Sequence, residues 1–321
     1  MDKKLPLYPL KFYPQFKEKV WGGHKLSSLL GKNTEGKIGE SWELSGVKEN
    51  ISTVANGIFE GESLTCLIEN FGEALLGNKV VAQFGNEFPL LFKFIDAKED
   101  LSVQLHPDDS IAKERHNSFG KTEMWYILQA DKHARLILGF NQKMDKETYL
   151  KTLSKGNITQ TLHAEKVTQG DAFFITPGMV HAIGGGILLA EIQQTSDITY
   201  RIYDWDRPDV DGTMRKLHTD LALDVISFED TKAKIDYVLS ENEATLLCKS
   251  LYFETNILKL TKPFQRDSST LDSFVVYMCT EGEATICGEK IQTGETLLIP
   301  AFYKTIELIA SQATLLEVYI P

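Results

Sequence analysis

The chain has 321 residues, 42% of them hydrophobic and 25% charged, the proportions of a folded soluble protein long enough for more than one core. A formal net charge of −11 argues against a nucleic-acid-binding surface and leaves room for a local anion pocket, because a phosphate needs only a few nearby cations. No apolar run reaches membrane length, and Cys66, Cys248, Cys279 and Cys287 form no Cys-x-x-Cys pair, so the expected thiols are reduced ones in a cytoplasmic protein, outside any zinc finger.

The first ten residues, MDKKLPLYPL, are broken by Pro6 and Pro9 and lack a signal-peptide core. VWGGH (20–24) precedes KIGESWELS (37–45), an alternating strand with Glu40 and Trp42 on one face. By burial habit Trp21 and Trp42 are core aromatics, and His24 beside two glycines is a turn residue. From 62 to 83 the apolar spacing becomes helical, with Ser63 as N-cap. FPLLFKFI (88–95) is then an almost continuous apolar strand interrupted by Lys93, a costly position for an ammonium unless an anion or carboxylate meets it.

In LSVQLHPDD (101–109), Gln104 and His106 lie two apart, so one strand face presents both before Pro107 stops the strand. Residues 108–119 form a short helix capped by Asp108 or Asp109 and ended by Gly120, which leaves His116 exposed. KTEMWYIL (121–128) is a second strand, with Lys121 and Glu123 sharing a face. An amphipathic helix spans 145–155, and DAFFITPGMVH (171–181) runs through a Pro-Gly turn to deliver His181. Gly184 to Gly186 reads as a hairpin turn, because no helix follows to make it a phosphate loop. Glu191 sits in the next apolar strand and Arg201 in the following extended piece, where a buried Glu191–Arg201 ion pair is the plain structural reading.

The turn-rich segment 209–213 is a candidate boundary, followed by a helical or irregular connection at 217–227. Short strands are expected at 253–260, 273–279, 282–286, 296–299 and 314–320, with turns at 281–282 and 293–294, as in a small all-β barrel. TGETLLIPA (293–301) has the shape of TQGDAFFITP (168–177), a weak internal repeat. The second copy carries no histidine, nor does any residue after His218, so the carboxyl-terminal unit is expected to be metal-free.

Singly, a histidine or glutamate in a strand is more often scaffold than ligand. Gln104, His106, Glu123 and His181 together, on faces a small barrel turns inward, make a four-ligand metal set. QLHPDD, GKTEMWY, PGMVHAI and QQTSDITYRIYDWDR, in that order, resemble the type I mannose-6-phosphate isomerases, especially their short bacterial form. The resemblance runs from about Pro9 to Arg215 and is looser beyond.

That resemblance implies a mainly β fold of two cupin (jelly-roll-like) barrels: residues 1–240 as a metal-bearing catalytic domain with helical insertions, and 241–321 as a small metal-free barrel. It implies interconversion of D-mannose 6-phosphate and D-fructose 6-phosphate through a cis-enediolate. One divalent ion would be held by Gln104, His106, Glu123 and His181, with zinc favoured and manganese, cobalt or iron also compatible with such ligands. Arg201 matches an essential arginine, Lys121 a site lysine, and Glu191 a site carboxylate that is the first candidate for the proton-transfer base, ahead of metal-bound water or a lysine. Lys93 and Trp21 are expected to face substrate; the phosphate's cations are left open. The expected partner is a phosphorylated hexose, with no nucleic acid and no membrane, in a monomer or weak homo-oligomer. Rival readings are an isomerase of another sugar phosphate and a catalytically silent phosphosugar sensor.

Overall fold

A computed structural model describes residues 7–229 and 232–321. Among these residues the fold is mainly β, in three sheets whose neighbouring strands pair antiparallel. The first sheet runs, in spatial order, Gln15–Gly23, Ile38–Ser45, Leu90–Ala97, Ile187–Gln194, Glu123–Ala130, Ala172–Ile175 and Lys234–Ile235. The second runs Tyr200–Tyr203, Val103–Leu105, His181–Ile183, Arg135–Phe140 and Leu162–Lys166. The third draws only on later residues, from Ala244–Lys249 to Thr305–Tyr319.

The strand Leu90–Ala97 reads as continuously apolar because both its faces are buried. Leu90, Phe92 and Phe94 pack into a core shared with Phe253, Phe274, Val276 and Met278 of the carboxyl-terminal region. Ile95 and Ala97 point the other way, into a second core with Trp21, Trp125, Leu136 and Ile183 between the first two sheets. Each such buried side chain is worth about 1.5–3 kcal/mol, so the first sheet is held from both sides. Lys93 is on the inner face with Ile95 and Ala97, where it lines a cavity.

Ser63 and Asp108 cap their helices as expected and Asp145 caps a third, each accepting a backbone N–H three residues on. The helix expected over 62–83 divides into Leu64–Leu76 and Asn78–Phe84. Gly77, at φ 99°, breaks it where its backbone meets that of Asp272, whose carboxylate then accepts the N–H groups of Asn78 and Lys79 at 3.0 Å each. The helix after Asp108 ends at Asn117 in the left-handed conformation, earlier than Gly120, and a short helix Lys25–Leu30 follows His24. His116 bonds Tyr200 Oη at 2.7 Å.

Two turn assignments are corrected. Gly184 to Gly186 joins His181–Ile183 in the second sheet to Ile187–Gln194 in the first, so it is a crossover and not a hairpin; Gly184 and Gly185 fit tightly against the backbone of Arg135 and Lys98. The turn expected at 281–282 is a bulge inside one long strand, Val275–Ile286, where Gly282 at φ 78° accompanies register shifts against Thr305–Tyr319. The turn at 293–294 is present.

Candidate metal centre and substrate cavity

The short strand Val103–Leu105 buries Val103 and Leu105 in a core under the second sheet and turns Gln104 to the opposite face. Register sets its neighbours: Gln104 lies opposite His181 on one side and Arg201 on the other. Glu123 begins its strand opposite Gln193, and Glu191 is flanked by Trp125 and Lys93. His106 follows where Pro107 stops the strand, and His106, Glu123 and His181 converge, with one potential ligand atom from each within 4.8 Å of the others.

All three are buried. His106 Nδ1 lies 2.8 Å from the Ile198 carbonyl and His181 Nδ1 2.9 Å from the Met179 carbonyl. A carbonyl only accepts, so both rings carry their proton on Nδ1 and turn a bare Nε2 lone pair inward. Burial, reinforced by the Lys121 ammonium, pushes His106 down to about 3, and burial lowers His181 as well, so both rings are neutral at pH 7. Although burial works against it, the Lys121 ammonium holds the Glu123 carboxyl well below the usual carboxylate range.

The two lone pairs therefore face a carboxylate: His106 Nε2 stands 3.2 Å from Glu123 Oε1, and His181 Nε2 3.9 Å from Oε2. His106 Nε2 and both Glu123 oxygens are buried without a hydrogen-bond partner; Lys121 Nζ approaches Oε1 to 2.8 Å outside hydrogen-bond geometry. Electron-rich atoms converging in this way are costly unless a cation lies among them, and the backbone bonds at Nδ1 are the outer shell that orients metal-binding imidazoles. The donor set fits a divalent metal. Gln104 has its amide nitrogen 3.5 Å from His181 Nε2, and a half-turn of the amide brings Oε1 to the same point.

A cavity of about 330 Å³ opens beside this centre, and Trp21, Lys93, Gln104, Lys121, His181, Glu191 and Arg201 all line it. His106 and Glu123 stand behind that wall. Trp21 is both core aromatic and cavity wall, since only 3% of it is exposed. Lys93 is met by a carboxylate, as its burial requires: Nζ donates to Glu191 Oε1 at 2.8 Å and Gln193 Oε1 at 2.7 Å. Glu191 Oε2 accepts from Trp125 Nε1 at 2.9 Å, and burial with the nearby Glu123 charge raises its carboxyl.

The expected Glu191–Arg201 ion pair is absent, because Glu191 spends its oxygens on Lys93 and Trp125. Arg201 instead bonds the Lys216 carbonyl at 3.1 Å, its buried Nε has no partner, and among the described residues no carboxylate comes within ion-pair distance. Glu40, Trp42, Arg215 and His218 also line the cavity. The first two share the strand face noted in the sequence; Arg215 and His218 fall in the connection after the turn-rich segment, where no local pattern marks them.

Comparison with known proteins gives the family. Residues 9–134 match a family model described as phosphomannose isomerase type I, catalytic domain, a span that includes Gln104, His106 and Glu123. The mannose-6-phosphate isomerase ManA of Bacillus subtilis is 36% identical over 303 residues, covering 91% of this chain and 93% of that protein. A mannose-6-phosphate isomerase of Streptococcus mutans is 33% identical over 316 residues, covering 95% and 98%. A crystal structure of the mannose 6-phosphate isomerase from Bacillus subtilis superposes with a TM-score of 0.88 at 31% identity, over 97% of this chain and 99% of that one. The chain belongs to the type I phosphomannose isomerase family.

Proposed function

We propose that this protein interconverts D-mannose 6-phosphate and D-fructose 6-phosphate through a cis-enediolate. What supports the reading, beside family membership, is a buried His106–Glu123–His181 centre with inward lone pairs, set against a cavity lined by cations and tryptophans. The reaction moves a proton between C2 and C1 while negative charge grows on O1 and O2. A divalent ion, zinc in this proposal, held by Gln104, His106, Glu123 and His181 would supply electrophilic stabilisation to those oxygens.

Among the chain's own groups, Arg201 is assigned to stabilising the charge that develops, because its guanidinium lacks a carboxylate partner among the described residues, lines the cavity, and belongs to a residue paired in register with Gln104. Lys121 keeps Glu123 ionised and faces the cavity, where it can donate to a substrate oxygen. Glu191 is the first candidate for the base that carries the proton, its carboxyl raised toward the range that suits proton exchange near neutrality. Lys93 orients Glu191, and Trp21 offers the sugar an apolar wall. The proposal extends to two cupin barrels divided near residue 240, to a cytoplasmic location and to a monomer or weak homo-oligomer. No described helix is long and apolar enough to cross a membrane.

A coupled assay decides the reaction. Mannose 6-phosphate is expected to turn over and glucose 6-phosphate scarcely, since the two differ in configuration at C2. Equal rates on both, or preference for another member of a panel of hexose and pentose phosphates, would replace this substrate.

A further inference from the structure

Five cationic side chains line the cavity: three lysines, each with a carboxylate, and two arginines, of which only Arg215 has one among the described residues, so the arginine end keeps the unbalanced charge. Lys19 lies 3.7 Å from Glu40, Lys93 2.8 Å from Glu191 and Lys121 2.8 Å from Glu123, so each lysine is balanced locally by a carboxylate. Arg201 is not. Arg215 lines the same cavity, and burial, followed by the Arg215 charge, lowers the Arg201 pKa.

Arg215 is gripped along one edge by Asp204, with Nε donating to Oδ2 at 2.7 Å and Nη2 to Oδ1 at 2.5 Å, a two-point clamp on a carboxylate that is itself buried. Asp209 approaches the same Nε at 4.0 Å. Nη1, outside both bonds, is left to donate elsewhere, and the planar fork is held in one orientation. His218 is pinned to the same strand: its N–H donates to the Arg201 carbonyl at 2.7 Å, while its Nδ1 accepts the Arg201 N–H at 3.2 Å. The proton of a neutral His218 ring is therefore on Nε2, in a side chain that lines the cavity.

We propose that Arg215, oriented by Asp204 and seconded by His218, is the phosphate-binding residue of the cavity, with Arg201 standing between the phosphate and the metal centre. The proposal rests on the function argued above and adds the residue that selects a phosphorylated over a plain sugar. Arg215 touches the part of the substrate that does not react, so its contribution is equal in ground and transition states and reads out in KM. Asp204 acts only by positioning it.

The test uses the metal-loaded full chain with Arg215→Gln, Arg215→Lys and Asp204→Asn. Arg215→Gln is expected to raise KM for mannose 6-phosphate roughly tenfold or more, with kcat within about threefold, and to raise the inhibition constant of inorganic phosphate in parallel. Arg215→Lys should recover part of the loss by charge, and Asp204→Asn should raise KM without the reverse split. A folded Arg215→Gln, judged by its thermal melt, with unchanged KM and unchanged phosphate inhibition overturns the proposal. If Arg215→Gln does not fold, Arg215→Lys takes its place, and unaltered phosphate inhibition there is equally fatal. Should the parent fail to turn over mannose 6-phosphate, the functional reading falls separately. Stabilisation of the parent by inorganic phosphate, lost in Arg215→Gln, would then still support the subsite, and its persistence in the variant would remove it.

Discussion

Replacing Lys93 by methionine separates its two possible roles. The methionine keeps most of the stem's volume and removes only the ammonium, which is buried with 5% of the residue exposed and donates to Glu191 at 2.8 Å and Gln193 at 2.7 Å. Glu191 would then keep one donor, Trp125 Nε1, while still feeling the Glu123 charge. Stranding a buried carboxylate in this way costs about 3–5 kcal/mol. At roughly 2–4 °C per kcal/mol that is a fall of roughly 6–20 °C in melting temperature. Thermal and urea unfolding of metal-saturated protein measures it, and the double variant Lys93→Met with Glu191→Gln is expected to regain at least half the loss by removing the stranded charge. A single variant within about 1 kcal/mol of the parent, accompanied by a raised KM, would refute the pairing argument and leave Lys93 as a substrate cation alone.

Removing the metal with a chelator is expected to abolish turnover while leaving far-UV circular dichroism essentially unchanged, because the ligands hang from strands whose packing does not pass through the centre; full activity in protein shown by elemental analysis to be metal-free would defeat the assignment. His106→Ala and His181→Ala should lose metal alike, by titration as well as by activity. Arg201→Ala should lower kcat roughly a hundredfold or more with a smaller change in KM, and an intact kcat in the folded variant would take Arg201 off the catalytic list. Metal-free protein should weaken as pH falls from 7.5 to 5. Burial holds His106 neutral down to about 3, whereas an unfolded histidine titrates near 6.5, so the unfolded state binds the extra proton between these values. That contribution is complete above the unfolded value and declines by at most roughly 1.4 kcal/mol per pH unit below it; urea midpoints that stay flat across the range would contradict it.

Much of this molecule is written locally. Residues two apart on one strand share a face whatever the rest of the chain does, so Gln104 with His106 was readable from spacing alone, as were the helix caps at Ser63 and Asp108. The burial of Lys93 was readable too, because an ammonium in an apolar strand demands a partner. Joining Glu123 and His181 to that pair took the further expectation that a small barrel turns all four faces inward, since His181 lies far along the chain from Glu123.

Tertiary structure decided who meets whom. The local reading paired Glu191 with Arg201 and left the partner of Lys93 unnamed, and strand register set Glu191 and Lys93 opposite one another. Gly184 to Gly186 and Gly282 look alike in sequence as turn residues, yet one crosses between sheets and the other bends a single strand, because the pairing partners on either side differ. Arg215 and His218 came to the cavity through a loop that folds back on the Arg201 strand, held by one backbone bond and one bond to the His218 ring between residues 17 apart. Local propensity acts over a few residues, whereas a pocket is built from contacts between distant segments whose register only the packed sheets determine.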